Sequence, residues 1–61
     1  MSNLVLTRKK RESVVIYKDG KSRDVLCEIM VTAVGAKQVK LAFEANNNIR
    51  IDRKEVYEGN V

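Results

Sequence analysis

The sequence has no histidine, no proline and no tryptophan, and its one cysteine is Cys27. Without histidine the usual general base at neutral pH is missing, and Cys/His zinc sites are nearly excluded. One cysteine rules out an intramolecular disulfide. Aromatic residues are scarce: Tyr17, Phe43 and Tyr57 are the whole set. No apolar run is long enough for a transmembrane helix, and the N-terminus lacks the apolar stretch of a signal peptide. A lone cysteine without an export signal points to the cytoplasm. No linker, repeat or low-complexity segment appears, so residues 1–61 read as a single domain.

These absences leave a thin core. A chain of 61 residues buries only about 60% of the surface it exposes when unfolded. Small domains make up this deficit with disulfides, a metal or a second chain. The first two are closed here, so oligomerisation is the leading expectation. What the sequence does have is positive charge. Twelve Lys/Arg against eight Asp/Glu give +4 and a pI near 9.5. That balance favours an anionic partner, most simply nucleic acid.

Hydrophobic periodicity is mostly two, the spacing of strands. Leu4–Thr7 is a short first run, followed by the charges of Lys9-Lys10-Arg11-Glu12. Ser13–Tyr17 is β-branched and aromatic, a second strand. Asp19-Gly20 then signals a hairpin. A third strand is expected from about Val25 to Val34, with Val25, Cys27, Ile29, Val31 and Ala33 on one face. Gln38–Phe43 alternates, placing Val39, Leu41 and Phe43 on the buried side. Asn46-Asn47-Asn48 is a polar turn, and Ile49–Asp52 a fifth strand. Asp52 and Glu55 have capping-box spacing, predicting a helix of one to two turns with Asp52 as N-cap, Val56 and Tyr57 facing the sheet, and Gly59 as its stop. The fold class is mainly β: five strands and a short C-terminal helix.

Catalysis finds little support, and the chain reads as not an enzyme. Cys27, on the apolar alternation, reads as a buried structural thiol rather than a reactive one. Glu55 and Glu58 share a helix face but read as a solvated pair rather than an acid/base dyad. The acidic residues lack calcium-loop spacing and the glycines form no phosphate-cradling loop, so no cofactor or metal is expected. Binding is better supported. Arg8-Lys9-Lys10-Arg11 sits at the end of the first strand, and Arg50, Arg53 and Lys54 lie around the end of the fifth. The first group alone reads as a solvated turn protecting a sheet edge; together the two could form a phosphate-binding edge. Too few aromatics are present for a base-stacking platform, and the helix is too short to read a major groove. A sheet edge holding single-stranded loop bases remains, and no DNA is expected.

Three segments carry a resemblance. Leu4-Val5-Leu6-Thr7-Arg8-Lys9 followed by Glu12–Ile16, then Gln38–Phe43 with Ala45, then Ile49–Tyr57, occur in the order and spacing of the CsrA/RsmA family of bacterial carbon storage regulators. The resemblance covers nearly the whole chain. It implies an intertwined homodimer of two β-sheets with helical wings, which would supply the missing core. It also implies binding of GGA motifs in hairpin loops of mRNA leaders, with repression of translation or altered message stability, and titration by small RNAs. Each site would lie between the first strand of one chain and the fifth of the other. By position, Leu6, Thr7, Arg8 and Lys9 form one half; Ala45, Asn46, Ile51, Asp52 and Arg53, bordered by Lys54, form the other. Arg53 matches the family's key arginine. A different class of function is a protein-binding module whose basic edges meet an acidic partner.

The chain departs from the family pattern. Lys9 replaces a second arginine, Arg11 the usual glycine before Glu12, Asn46 a proline, and Asp52 a residue that is histidine in many members. A carboxylate at Asp52 either repels phosphate or serves as the helix cap. The segment from Tyr17 to Val25 is longer than usual, and the helix after Val56 shorter.

Overall fold

The computed structural model describes residues 2–59, with side chains from residue 4 onward; residues 1, 60 and 61 of the expected domain lie outside them. The elements are β1 (Ser2–Arg8), β2 (Ser13–Lys18), β3 (Val25–Met30), β4 (Val39–Ala45), β5 (Ile49–Arg53) and α1 (Lys54–Gly59). All strand pairs are antiparallel. One sheet is β1–β4, from Ser2 opposite Ala45 to Arg8 opposite Val39. The other has the order β3–β2–β5, with β2 central.

Register assigns the faces of the three-stranded sheet, because successive side chains point to opposite sides. Val14 lies opposite Ile29 and Arg53, and Ile16 opposite Cys27 and Ile51. Together with Ile49, opposite Lys18, these make one face apolar, with Arg53 at its end. The other face carries Ser13, Val15, Tyr17, Glu28, Met30, Arg50 and Asp52. Helix α1 lies on this second face, joined to it by the Tyr17–Tyr57 ring pair and by Lys54–Glu28.

The buried apolar core consists of Val14, Val15 and Tyr17, all on β2. Every residue of β3 is exposed, including Leu26 and Met30 at 50% and 52%. Cys27, expected to be buried, is exposed too, because β3 is an edge strand whose apolar face nothing covers. The β4 alternation is as expected, but Val39, Leu41 and Phe43 are only half-buried. The solvent-accessible surface is 4592 Å², about 600 Å² above the roughly 4,000 Å² of a compact monomer of this mass. The Cα radius of gyration, 11.9 Å, likewise exceeds the ~10.5 Å of a compact 61-residue domain.

Turns account for the other differences from the sequence expectations. The β2–β3 connection is the expected hairpin and runs over residues 19–24. Lys18 N–H donates to Asp24 O at 2.9 Å and Asp19 N–H to Asn48 O at 2.9 Å. Gly20 takes φ 141°, which only glycine adopts readily. Strand β3 stops at Met30 rather than Val34, since β2 begins at Ser13 and offers no further strand partner. Val31 instead bonds the preceding turn, accepting from Arg11 N–H at 2.6 Å and donating to Glu12 O at 3.0 Å. The expected capping box is not formed: Asp52 remains in β5 and the helix begins at Lys54. Tyr57 is half-buried against the sheet, whereas Val56 is 43% exposed.

The β1–β2 connection is the four-residue turn Lys9–Glu12, in which Glu12 N–H donates to Lys9 O at 3.0 Å and the Glu12 carboxylate accepts Lys9 N–H at 2.7 Å. Arg11 sits in the left-handed region at φ 70°. A side chain there costs about 1 kcal/mol relative to glycine. Arg11→Gly is therefore expected to stabilise the fold by up to about 1 kcal/mol in urea unfolding; a destabilised variant would mean that the Arg11 side chain supports the turn.

Candidate nucleic-acid interface

Arg8 closes β1 and is 5% exposed. Its guanidinium donates through Nε to Thr7 O at 3.0 Å, through Nη1 to Ser13 O at 3.1 Å and Glu55 Oε1 at 3.0 Å, and through Nη2 to Glu55 Oε2 at 2.9 Å. The fork-on-fork pair with Glu55 ties the end of β1 to the first turn of α1. Glu12 adds a weaker ion pair at 3.7 Å. The hydrogen bond to Glu55 raises the Arg8 pKa, against the opposing effect of burial. The same bond holds the Glu55 carboxyl down at about 2. Glu55 and Glu58 are both exposed, as expected, but Glu55 is paired with Arg8.

Arg53 ends β5, exposed and opposite Val14. Lys54 opens α1 and pairs with Glu28 at 3.2 Å. Lys9 is exposed in the turn after Arg8. The β1 end and the β5 end therefore converge on the first turn of α1 within one chain. Leu6 and Thr7 precede Arg8 as half-buried residues opposite Leu41 and Lys40, and Ile51 is half-buried opposite Ile16.

Ala45 and Asn46 lie elsewhere. Ala45 pairs with Ser2 at the start of β1, and Asn46 O accepts Ile49 N–H at 3.0 Å in the turn before β5. The six-residue rise from Ser2 to Arg8 separates Ala45 from the Arg8 end by roughly 20 Å. A single chain does not bring all ten expected site residues together.

Asp52 faces away from Arg53, by the alternation of β5. Its Oδ2 accepts the Tyr17 hydroxyl at 2.5 Å. This bond, with burial, raises the Tyr17 pKa. Tyr17 and Tyr57 meet edge to face with centroids 4.8 Å apart. The Arg23 guanidinium lies 4.4 Å from the Tyr57 ring centre and 5.1 Å from that of Tyr17, and donates to Tyr57 O at 3.2 Å. Asp52 thus anchors the helix-bearing face instead of capping the helix, and its carboxylate is held off the Arg53 side.

The Arg8–Glu55 pair makes stability acid-sensitive. Glu55 titrates at about 2 in the folded chain against an ordinary 4.5. Its contribution is complete above about pH 4.5 and is lost as pH falls toward 2. Urea midpoints measured across that window should fall for the wild type and flatten for Glu55→Gln; parallel pH profiles would contradict the assignment.

Comparison with known proteins assigns the chain to a family. The family model for CsrA, described as a global regulator protein family, matches residues 3–60. The translational regulator CsrA of Clostridioides difficile is 44% identical over 55 residues, covering 90% of this chain and 69% of its own length. Its counterpart from Bacillus velezensis is 44% identical over 88% of the chain and 64% of its own length. That of Brachyspira hyodysenteriae is 42% identical over 90% and 58%. The chain therefore spans about six- to seven-tenths of these relatives' lengths. No solved structure matches it significantly. The chain belongs to the CsrA family of global regulators.

Proposed function

We propose that this chain is a translational regulator that binds GGA motifs in hairpin loops of mRNA leaders, acting as a homodimer in the cytoplasm and titrated by small RNAs. The single observation carrying the reading is the convergence of the β1 end with the basic β5 end at α1, in a chain of this family. Arg53 is the exposed cation best placed to hold RNA, bonding a phosphate or a base edge with its planar fork. Lys9 and Lys54 supplement the charge at its borders. Regulation then follows from occupancy: a protein seated on a leader loop blocks initiation or changes message lifetime, and small RNAs offering many such loops draw it away.

Two features support the dimer. The apolar sheet face is only partly covered and all of β3 is exposed, and Ala45, which one chain keeps about 20 Å from the Arg8 end, needs a second chain to join the rest of the site. Leu6–Lys9 of one chain would lie beside Ala45, Asn46 and Ile51–Lys54 of the other. Residues 1–61 act as one RNA-binding domain, and a dimer doubles the charge. No helix among the described residues is long and apolar enough to cross a membrane.

The test is a hairpin presenting GGA in its loop against the same hairpin with the motif scrambled. The GGA loop should bind more tightly, and Arg53→Ala should cost about 1–3 kcal/mol. The variant should also flatten the log-log salt dependence by about 0.7, the loss of one single-strand phosphate contact. Equal binding to both loops, as a basic module for acidic proteins would show, contradicts the proposal.

A further inference from the structure

Arg8 presents a puzzle for any anionic ligand. Of the five N–H donors of a guanidinium, four are already taken by Thr7 O, Ser13 O and the two oxygens of Glu55. The side chain is 5% exposed, yet the Glu55 side chain covering it is 60% exposed. Two of the bonds go to backbone carbonyls, of Thr7 in β1 and Ser13 at the start of β2, so they fix the guanidinium whatever sits on its open side. The open side holds Glu55, from a six-residue helix with no buried residue. A carboxylate gripping a guanidinium through two oxygens has the same geometry as a phosphate doing so.

We propose that Glu55 occupies, in the free chain, the place that an RNA backbone phosphate takes on Arg8, so that carboxylate and phosphate exchange when RNA binds. This rests on the RNA-binding reading above and specifies how that site is regulated. Binding swings the first turn of α1 away from Arg8 while the guanidinium stays aligned by Thr7 and Ser13. Glu12 does not exchange, because its Oε1 is bonded to Lys9 N–H at 2.7 Å and lies 3.7 Å from Arg8. The displaced carboxylate is what keeps Arg8 from holding anions indiscriminately: only a ligand already anchored elsewhere, at Arg53, gains enough to displace it. The low Glu55 pKa agrees with a carboxylate that competes at full charge across the physiological range.

Glu55→Gln removes the competing charge. It should bind the GGA hairpin about five- to tenfold more tightly at low salt, the scale of one partly screened charge interaction. The salt slope should stay close to that of the wild type, because the same Arg8–phosphate contact forms in both proteins. Glu58→Gln, which removes the same charge from the same helix without touching Arg8, should change affinity by less than about twofold. Because Glu55→Gln loses a structural bond, the wild type supplies a second readout: the side-chain carboxyl carbon of Glu55, followed by NMR, should move to the position of an unpaired glutamate as the hairpin saturates the protein. Selective GGA binding with an unmoved Glu55 resonance, or equal gains from Glu55→Gln and Glu58→Gln, overturns the exchange alone. Absence of GGA selectivity in the wild type overturns the RNA-binding reading and the exchange with it.

Discussion

Val14, Val15 and Tyr17 are the apolar residues that the described structure buries, and all three belong to β2. The architecture depends on that strand. Among the described strands it alone has a hydrogen-bonded neighbour on each side, and its two faces meet different environments. One carries Tyr17 and Val15 under α1. The other begins a wide apolar surface over Ile16, Ile29, Ile49 and Ile51 that one chain only partly closes. Burying a large aliphatic side chain stabilises by about 1.5–3 kcal/mol, so a core of this size is a marginal foundation for an isolated domain.

The polar contacts compensate in one respect: they fix the helix. Six residues are far too few for a helix to persist by its own propensity. Here α1 is held at three points: Glu55 on Arg8, Lys54 on Glu28, and Tyr57 in the stack with Tyr17 and Arg23. These contacts bind the two sheets to a common element, since Arg8 belongs to β1 and the rest to the β3–β2–β5 side. Arg8 and Lys54, two of the residues proposed to hold RNA, are therefore also among those that fix the helix.

Short-range pattern explains which features were legible in the sequence. Alternation from Ser13 to Tyr17 and from Val39 to Phe43 located the strands, and the order of three segments identified the family. The β3 end at Met30 was not legible, because a strand ends where its neighbour does and the neighbour begins at Ser13. Asp52 was misread as a cap for a related reason: capping-box spacing is local, whereas its partner, Tyr17, is 35 residues away. Arg8 and Glu55 are 47 residues apart, so no local signal marked Glu55 as the partner of a buried arginine. Cys27 was placed by its apolar alternation, which states what a strand face is made of and not what covers it. Arg11 shows the converse: its left-handed φ explains the glycine that the family pattern has there, a departure visible in the sequence whose cost became visible only in the backbone.

The proposed dimer makes folding of this chain and its pairing with a second copy one event, because the exposed β3 and the partly covered apolar face of β2–β5 would form the shared core. The most direct measurement is the thermal unfolding midpoint as a function of protein concentration. A dimer whose protomers fold only together must show a midpoint that rises with concentration by mass action. A midpoint unchanged over a hundredfold dilution, with the β2 amides equally protected throughout, would show a chain that folds alone and would contradict the account.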